Sequence, residues 1–184
     1  MDSSGLIETA VEKLVDGGVI AYPTEHCFGL GCDPQNQSAV KRLLKIKQRS
    51  ADQGLILVAS SVKQIEDYVD LASSPMLDEI KLSWPGHVTW LLESKAETPN
   101  LISGKHATIA IRQTNHPLVT QLCNSFGGAI VSTSANRHAK PALMSAAQVK
   151  KEFSTDLDYI IDAKIGEQSS PSTIRDGNNG AVIR

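Results

Sequence analysis

The chain has 184 residues, 41% of them hydrophobic and 21% charged, which is ordinary globular usage and enough for one domain, 1–184, with a full-sized core. A formal net charge of −2 excludes a globally basic nucleic-acid binder, and an aromatic content of 4% disfavours a base-stacking platform. Cys27, Cys32 and Cys123 form no C-x-x-C pair, so a disulfide framework or structural zinc site is disfavoured, and reduced thiols in a cytoplasmic protein are the simple reading. No basic segment followed by an apolar run opens the chain, and no run approaches the roughly 18 apolar residues of a membrane span.

Ser3 or Ser4 is placed to cap a first helix whose apolar residues, Leu6, Ile7, Ala10, Val11, Leu14 and Val15, recur at helical spacing until Gly17-Gly18. Val19–Tyr22 then reads as a buried strand that Pro23 ends, leading into a polar turn, Thr24-Glu25-His26, punctuated by Gly29 and Gly31. Such strand ends bind ligands in open α/β sheets, and an ordinary strand-to-helix connection is the alternative. A second helix from about Ser38 buries Val40, Leu43 and Leu44. One more turn of that stripe lands on Lys47, where a core residue is expected. The alternative is a lysine that snorkels out at a frayed end. On a helix Lys47 and Arg49 would point about 200° apart, so they serve one anion only if the helix ends near Lys47.

Ser50–Gln53 reads as a polar loop, Leu55–Val58 as a second buried strand, and 61–71 as a helix with Val62, Ile65, Tyr68 and Val69 inward. Pro75 opens another helix to about Leu82. Trp84-Pro85-Gly86-His87 is a turn into the strand Val88–Leu92, and Glu93–His106 reads as a long surface loop. In the strand Thr108–Arg112, Thr108, Ala110 and Arg112 share a face. Its two ends lie roughly 13 Å apart, the scale of an extended nucleotide, unless this is an edge strand with a solvated face. A helix from His116-Pro117 to Gly127-Gly128 follows. Then come a strand, Ala129–Val131, running into Ser132-Thr133-Ser134-Ala135-Asn136, a helix over 145–153, and strands at Tyr159–Asp162, Pro171–Asp176 and Ala181–Arg184.

Apolar strands thus end repeatedly in hydroxyls, amides or cations: Thr24, Lys47 and Arg49, Thr108 and Arg112, Ser132, Ser134 and Asn136, Ser172, and Arg184. That recurrence predicts one polar cavity lined from several strands, and its excess of cations favours an anionic ligand such as a triphosphate. G-x-x-x-x-G-K-[ST], a full dinucleotide fingerprint and H-E-x-x-H are all absent. The histidines at 26, 87, 106, 116 and 138 are scattered and make no metal-ligand set, and Cys27 beside His26 is a poor nucleophile pair because adjacent side chains diverge.

Seven motifs in order resemble the YrdC family: Pro23-Thr24-Glu25 with Phe28-Gly29-Leu30-Gly31, Lys47-x-Arg49, Leu55–Val58, Trp84-Pro85-Gly86, Thr108–Arg112, Ser134-x-Asn136 and Ser172-Thr173-Ile174. The likeness covers about residues 5–184. It implies an open twisted mixed α/β sheet with flanking helices and a large concave cavity. It also implies a nucleotidyltransferase reaction: L-threonine, bicarbonate (or CO2) and ATP give L-threonylcarbamoyl-AMP and pyrophosphate. The product would pass to a separate transferase complex that modifies the adenosine next to the anticodon of tRNA. By the same resemblance Lys47 and Arg49 hold ATP phosphates, with Mg2+ carried by the nucleotide rather than by a protein metal site. Thr108, Ser134, Asn136 and Arg184 contact the nucleotide. Thr24, Arg112, Ser132 and Ser172 surround threonine, with Arg112 on its carboxylate. Glu25 is a candidate supporting or metal-side carboxylate. The chain departs from the pattern at His26 (threonine in many longer relatives), near Gln53 (asparagine), at Ala59 (histidine) and at His87 (proline). Those relatives carry a C-terminal domain, so this chain is expected to close its site with its own loops or a partner. A non-catalytic RNA-binding protein of tRNA or ribosome maturation is the alternative. A sugar-phosphate enzyme would need a denser acidic metal set.

Overall fold

A computed structural model describes residues 4–137 and 139–184; Ser3 and His138 lie outside them. The first helix, α1 (Ser4–Val15), buries Ile7, Ala10 and Leu14 at the predicted spacing. It is followed by β1 (Ile20–Pro23) and β2 (Phe28–Gly31), which pair antiparallel. The expected turn is therefore a hairpin, with Pro23 opposite Phe28 and both glycines inside a strand. The glycines make room for ring and backbone. A Cβ on Gly31 would lie 2.5 Å from the Val131 carbonyl and 2.8 Å from the Tyr22 ring, and one on Gly29 would lie 3.2 Å from the Thr24 methyl.

Helix α2 (Gln37–Lys47) begins one residue before Ser38, because the Asn36 side chain accepts from the backbone N–H groups of Ser38 and Ala39. It ends at Lys47, where Gln48 turns left-handed at φ 51°. Next come β3 (Ile56–Ala59), α3 (Leu77–Ser83), β4 (Val88–Glu93), α4 (Asn100–Ser103) and β5 (Thr108–Gln113). The chain continues with α5 (Pro117–Phe126), β6 (Ile130–Ser134), α6 (Ala146–Phe153), β7 (Tyr159–Ile160) and β8 (Thr173–Asp176).

Four expectations change. Residues 61–71 form 3-10 turns rather than a helix, because the Tyr68 carbonyl takes Lys95 N–H and the Thr98 hydroxyl instead of an intrahelical donor. Residues 93–106 are not simply surface loop: they contain α4 and bury Thr98, Ile102 and Ser103, with the Ile102 carbonyl accepting from Leu55 N–H. β5 is no edge strand, since β3 and β4 flank it. Residues 181–184 form no named strand; they meet β8 through an Arg175–Val182 bridge, a bond from Asp176 N–H to the Ala181 carbonyl, and bonds between Ile174 and the last two residues.

The eight strands form one mixed sheet in the order β7-β1-β2-β6-β3-β5-β4-β8. Side chains alternate across it and divide the core in two. Ile20 and Tyr22 join Val58, Ile130 and the inner faces of α1 and α5, whereas Val19, Ala21, Phe28 and Leu30 join the apolar residues of α2 and α6. Among the described residues no helix is long and apolar enough to cross a membrane.

β7 and β8 are the opposite edges of the sheet yet are consecutive in sequence. Residues 161–172 therefore run from one edge of the sheet to the other, bonding the β1–β2 turn through Gly166 and Gln168 and β4 through Ser172.

Candidate active site

Strand register builds the site. Ile56 pairs with both Ala110 and Ser132, Val58 with Arg112, and Gly29 with Ser134, so these positions share one face. On that face a cavity of about 440 Å³ opens over β6, β3, β5 and β4. Its wall includes Thr24, Arg49, Thr108, Arg112, Ser132, Ser134, Ser172 and Arg184, so eight of the ten predicted residues meet at one surface. Lys47 and Asn136 are not part of that wall; they are joined to it through Ser134. The Lys47 ammonium donates to the Ser134 carbonyl (2.5 Å), the Asn136 carbonyl (2.8 Å) and Asn136 Oδ1 (2.5 Å). The Asn136 amide nitrogen in turn donates to the Lys140 carbonyl. These bonds fix the polar turn after β6 onto the end of α2.

Arg49 leaves that helix end and enters the cavity wall. It donates from Nη2 to the Gly54 carbonyl at 2.9 Å, while its buried Nε has no partner. Burial, and then the neighbouring charge of Arg49, lowers the Lys47 ammonium to about 8. Arg49 is lowered by burial and then by Arg184. Arg49 thus stands between two like charges, Lys47 and Arg184.

The far end carries a matched pair. Arg112 Nη1 lies 2.7 Å from Glu25 Oε2, and both side chains are buried. This is a close, buried charge pair whose geometry at Oε2 is not that of a hydrogen bond. Glu25 Oε1 accepts the Thr114 hydroxyl at 2.6 Å, and Thr114 Oγ1 accepts His116 N–H. Burial pushes the Glu25 carboxyl up, but the Arg112 charge and the Thr114 hydroxyl outweigh it and hold the group below its ordinary value. Burial lowers His116, favouring the neutral ring. Cys27 lines the cavity, yet burial raises its thiol, so the chain does not activate it as a nucleophile.

Segment 161–172 roofs this end. Gly166 N–H and Gln168 N–H donate to the carbonyls of Thr24 and Glu25. Gly166 has no room for a side chain, because a Cβ would sit 2.8 Å from the Glu25 carbonyl. His26 Nδ1 donates to the Gln168 carbonyl at 3.0 Å and His87 Nε2 to that of Ser170 at 2.8 Å. Ser172 shares a hydrogen bond with Thr89, and its carbonyl accepts from Arg184. Thr89, Thr114 and His116 were not legible as site residues. The one signal for Thr89 was a hydroxyl inside the apolar strand Val88–Leu92. Among the described residues no cluster of three or more His, Cys, Asp or Glu could hold a metal ion.

The family model Sua5_yciO_yrdC, described as "Telomere recombination", matches residues 12–184. A threonylcarbamoyl-AMP synthase of Pseudoalteromonas translucida is 45% identical, with all of both chains covered. One of Nitrosococcus oceani is 42% identical over 97% of this chain and 96% of its own. Among solved structures, P. abyssi Sua5 complexed with L-threonine superposes with a TM-score of 0.85 at 32% identity, over 92% of this chain and 50% of that one. The chain therefore spans about half of that protein. E. coli YciO superposes with a TM-score of 0.82 at 26% identity, over 98% and 88%. The chain belongs to the Sua5/YciO/YrdC family.

Proposed function

We propose that the chain is a threonylcarbamoyl-AMP synthase, a nucleotidyltransferase that joins L-threonine, bicarbonate (or CO2) and ATP and releases pyrophosphate. The observation that carries the reading is the convergence of Arg49 and Arg184 on the same cavity wall as Arg112, with a carboxylate matched only to Arg112. The relatives of that name, similar over their full length, support it.

In this reading threonine lies beneath the roof, its carboxylate on Arg112 and its polar groups among Thr24, Ser132 and Ser172. The nucleoside follows Thr108, Ser134 and Asn136. The phosphates take Arg49 and Arg184, with Lys47 supplying charge nearby and holding the Ser134–Asn136 turn. The threonine amine adds to CO2 and gives up a proton, forming a carbamate. A carbamate oxygen attacks the α-phosphorus as the bond to pyrophosphate breaks. Carbamates are labile in water, so a segment that covers the reacting end serves the chemistry. Catalysis rests on positioning and charge neutralisation. Mg2+ would arrive on the nucleotide's phosphates, and no step is assigned to it. The product would supply a tRNA threonylcarbamoyl-transferase complex acting at the adenosine next to the anticodon, in the cytoplasm.

The test is pyrophosphate release with each substrate omitted in turn, and mass spectrometry of the product. Release that requires threonine, bicarbonate and ATP together is expected. Release without threonine, or none with all three, would overturn the reading.

A further inference from the structure

Arg112 offers Nη1 to two partners from different elements: Glu25 Oε2 at 2.7 Å and His87 Nδ1 at 3.3 Å. The tautomer of His87 follows from its neighbours. The Ser170 carbonyl can only accept, so Nε2 carries the proton; a guanidinium can only donate, so Nδ1 is bare. A neutral imidazole therefore links the roof to the guanidinium in one line: Ser170 carbonyl, His87, Arg112, Glu25.

The two contacts on Nη1 differ in kind. Glu25 holds the guanidinium by a buried 2.7 Å charge contact that meets no hydrogen-bond geometry at Oε2. His87 Nδ1 supplies a directional contact. Among the described residues no protein hydrogen bond falls on Nε or Nη2 of Arg112, and that edge is the fork a carboxylate takes bidentately.

We propose that His87 is a positioning residue for threonine. It sets the rotation of the Arg112 fork through Nδ1, and the roof segment holds the ring in place through Nε2. Recognition of the amino-acid carboxylate is thereby coupled to coverage of the cavity. The proposal rests on the reading of Arg112 as the threonine-carboxylate residue.

The experiment is steady-state pyrophosphate release by the full chain, with threonine and ATP varied separately, for wild type, His87→Ala, His87→Asn, His87→Gln and Arg112→Lys. His87→Ala is expected to raise the threonine KM about tenfold, with the ATP KM and kcat within about twofold. His87→Asn, whose Oδ1 replaces the acceptor facing Arg112, recovers most of that loss. His87→Gln, whose longer carboxamide reaches Ser170 at the Nε2 position and puts no acceptor at the Nδ1 position, does not. The proposal is overturned by a threonine KM of His87→Ala within about twofold of wild type, by an equal rise in both KM values, or by recovery in Gln but not Asn. Should His87→Ala melt early, calorimetric titration of threonine into the Asn and Gln variants carries the same decision. An unchanged threonine KM in Arg112→Lys would instead overturn the assignment of the site.

Discussion

The two ends of the cavity handle charge in opposite ways. At one end Arg112 is matched by a buried carboxylate, and that carboxylate is held by Thr114. At the other, Lys47, Arg49 and Arg184 form no ion pair among the described residues, and their hydrogen bonds go to neutral carbonyls and an amide. A balanced end suits a zwitterion such as an amino acid, whose two charges each find an opposite neighbour. An unbalanced cationic end suits a polyphosphate. Burial first, and then the neighbouring cations, disfavour charge on Lys47 and Arg49 in the free protein, and a bound polyanion would relieve both.

The largest effect tests the balanced end. Arg112→Ala leaves Glu25 buried and unpaired, and is expected to cost about 3–5 kcal/mol in urea unfolding. Glu25→Leu combined with Arg112→Met removes both charges and should recover most of that stability without restoring threonine-dependent turnover. A single variant as stable as wild type would show that the pair is not matched. Next, Arg49→Ala removes charge from the other end without leaving an unpaired charge; only the neutral Gly54 carbonyl loses a donor. Turnover should fall about 10²–10³-fold, as for loss of one preorganised donor, with little change in the unfolding midpoint. A large loss of stability there would break the contrast. Third, Thr114→Val removes a hydroxyl bonded to a buried carboxylate and should cost about 1.5–3 kcal/mol at neutral pH. Because the folded Glu25 carboxyl lies below its ordinary value, its stabilisation is present above that value and is lost as pH falls through the folded one. Raising the folded value moves that loss, and so the acid-unfolding midpoint, to higher pH.

The cationic end was the more legible in the sequence. Lys47 interrupts an apolar stripe at helical spacing, and periodicity shows that directly. The end of α2 at Lys47 followed from requiring Lys47 and Arg49 to face one place. The strands were legible for the same reason, since buried alternation is local. The balanced end was not legible. Glu25 and Thr114 are 89 residues apart and meet because the β1–β2 turn reaches the end of β5, four places from β1 in the sheet, so no local pattern announces the pair. The roof was missed because 161–172 has no periodicity; its course is set by where β7 and β8 fall in the sheet. Gly29 and Gly31 misled, since glycine signals a turn and a close approach equally well, and here it was the approach of Tyr22 and the Val131 carbonyl. Residues 61–71 had a helical stripe, but the carbonyl of Tyr68 is claimed by the chain near Lys95.

The smallest effect separates charge from stability at the cationic end. With Lys47 lowered to about 8, the free enzyme loses an ammonium near the phosphate region as pH rises through that value. kcat/KM for ATP should then fall, by at most about tenfold per pH unit. Stability should move the other way. Between about 8 and 10.5 the unfolded chain holds a proton on Lys47 that the folded protein has released, so this group makes unfolding less favourable as pH rises. Opposite slopes of ATP use and stability over that window are the signature of a cation kept buried for a ligand. Lys47→Arg, which stays charged, should lack both. If activity and stability fell together in wild type, the alkaline limb would report general unfolding, and the unbalanced end would lose its claim to the phosphates.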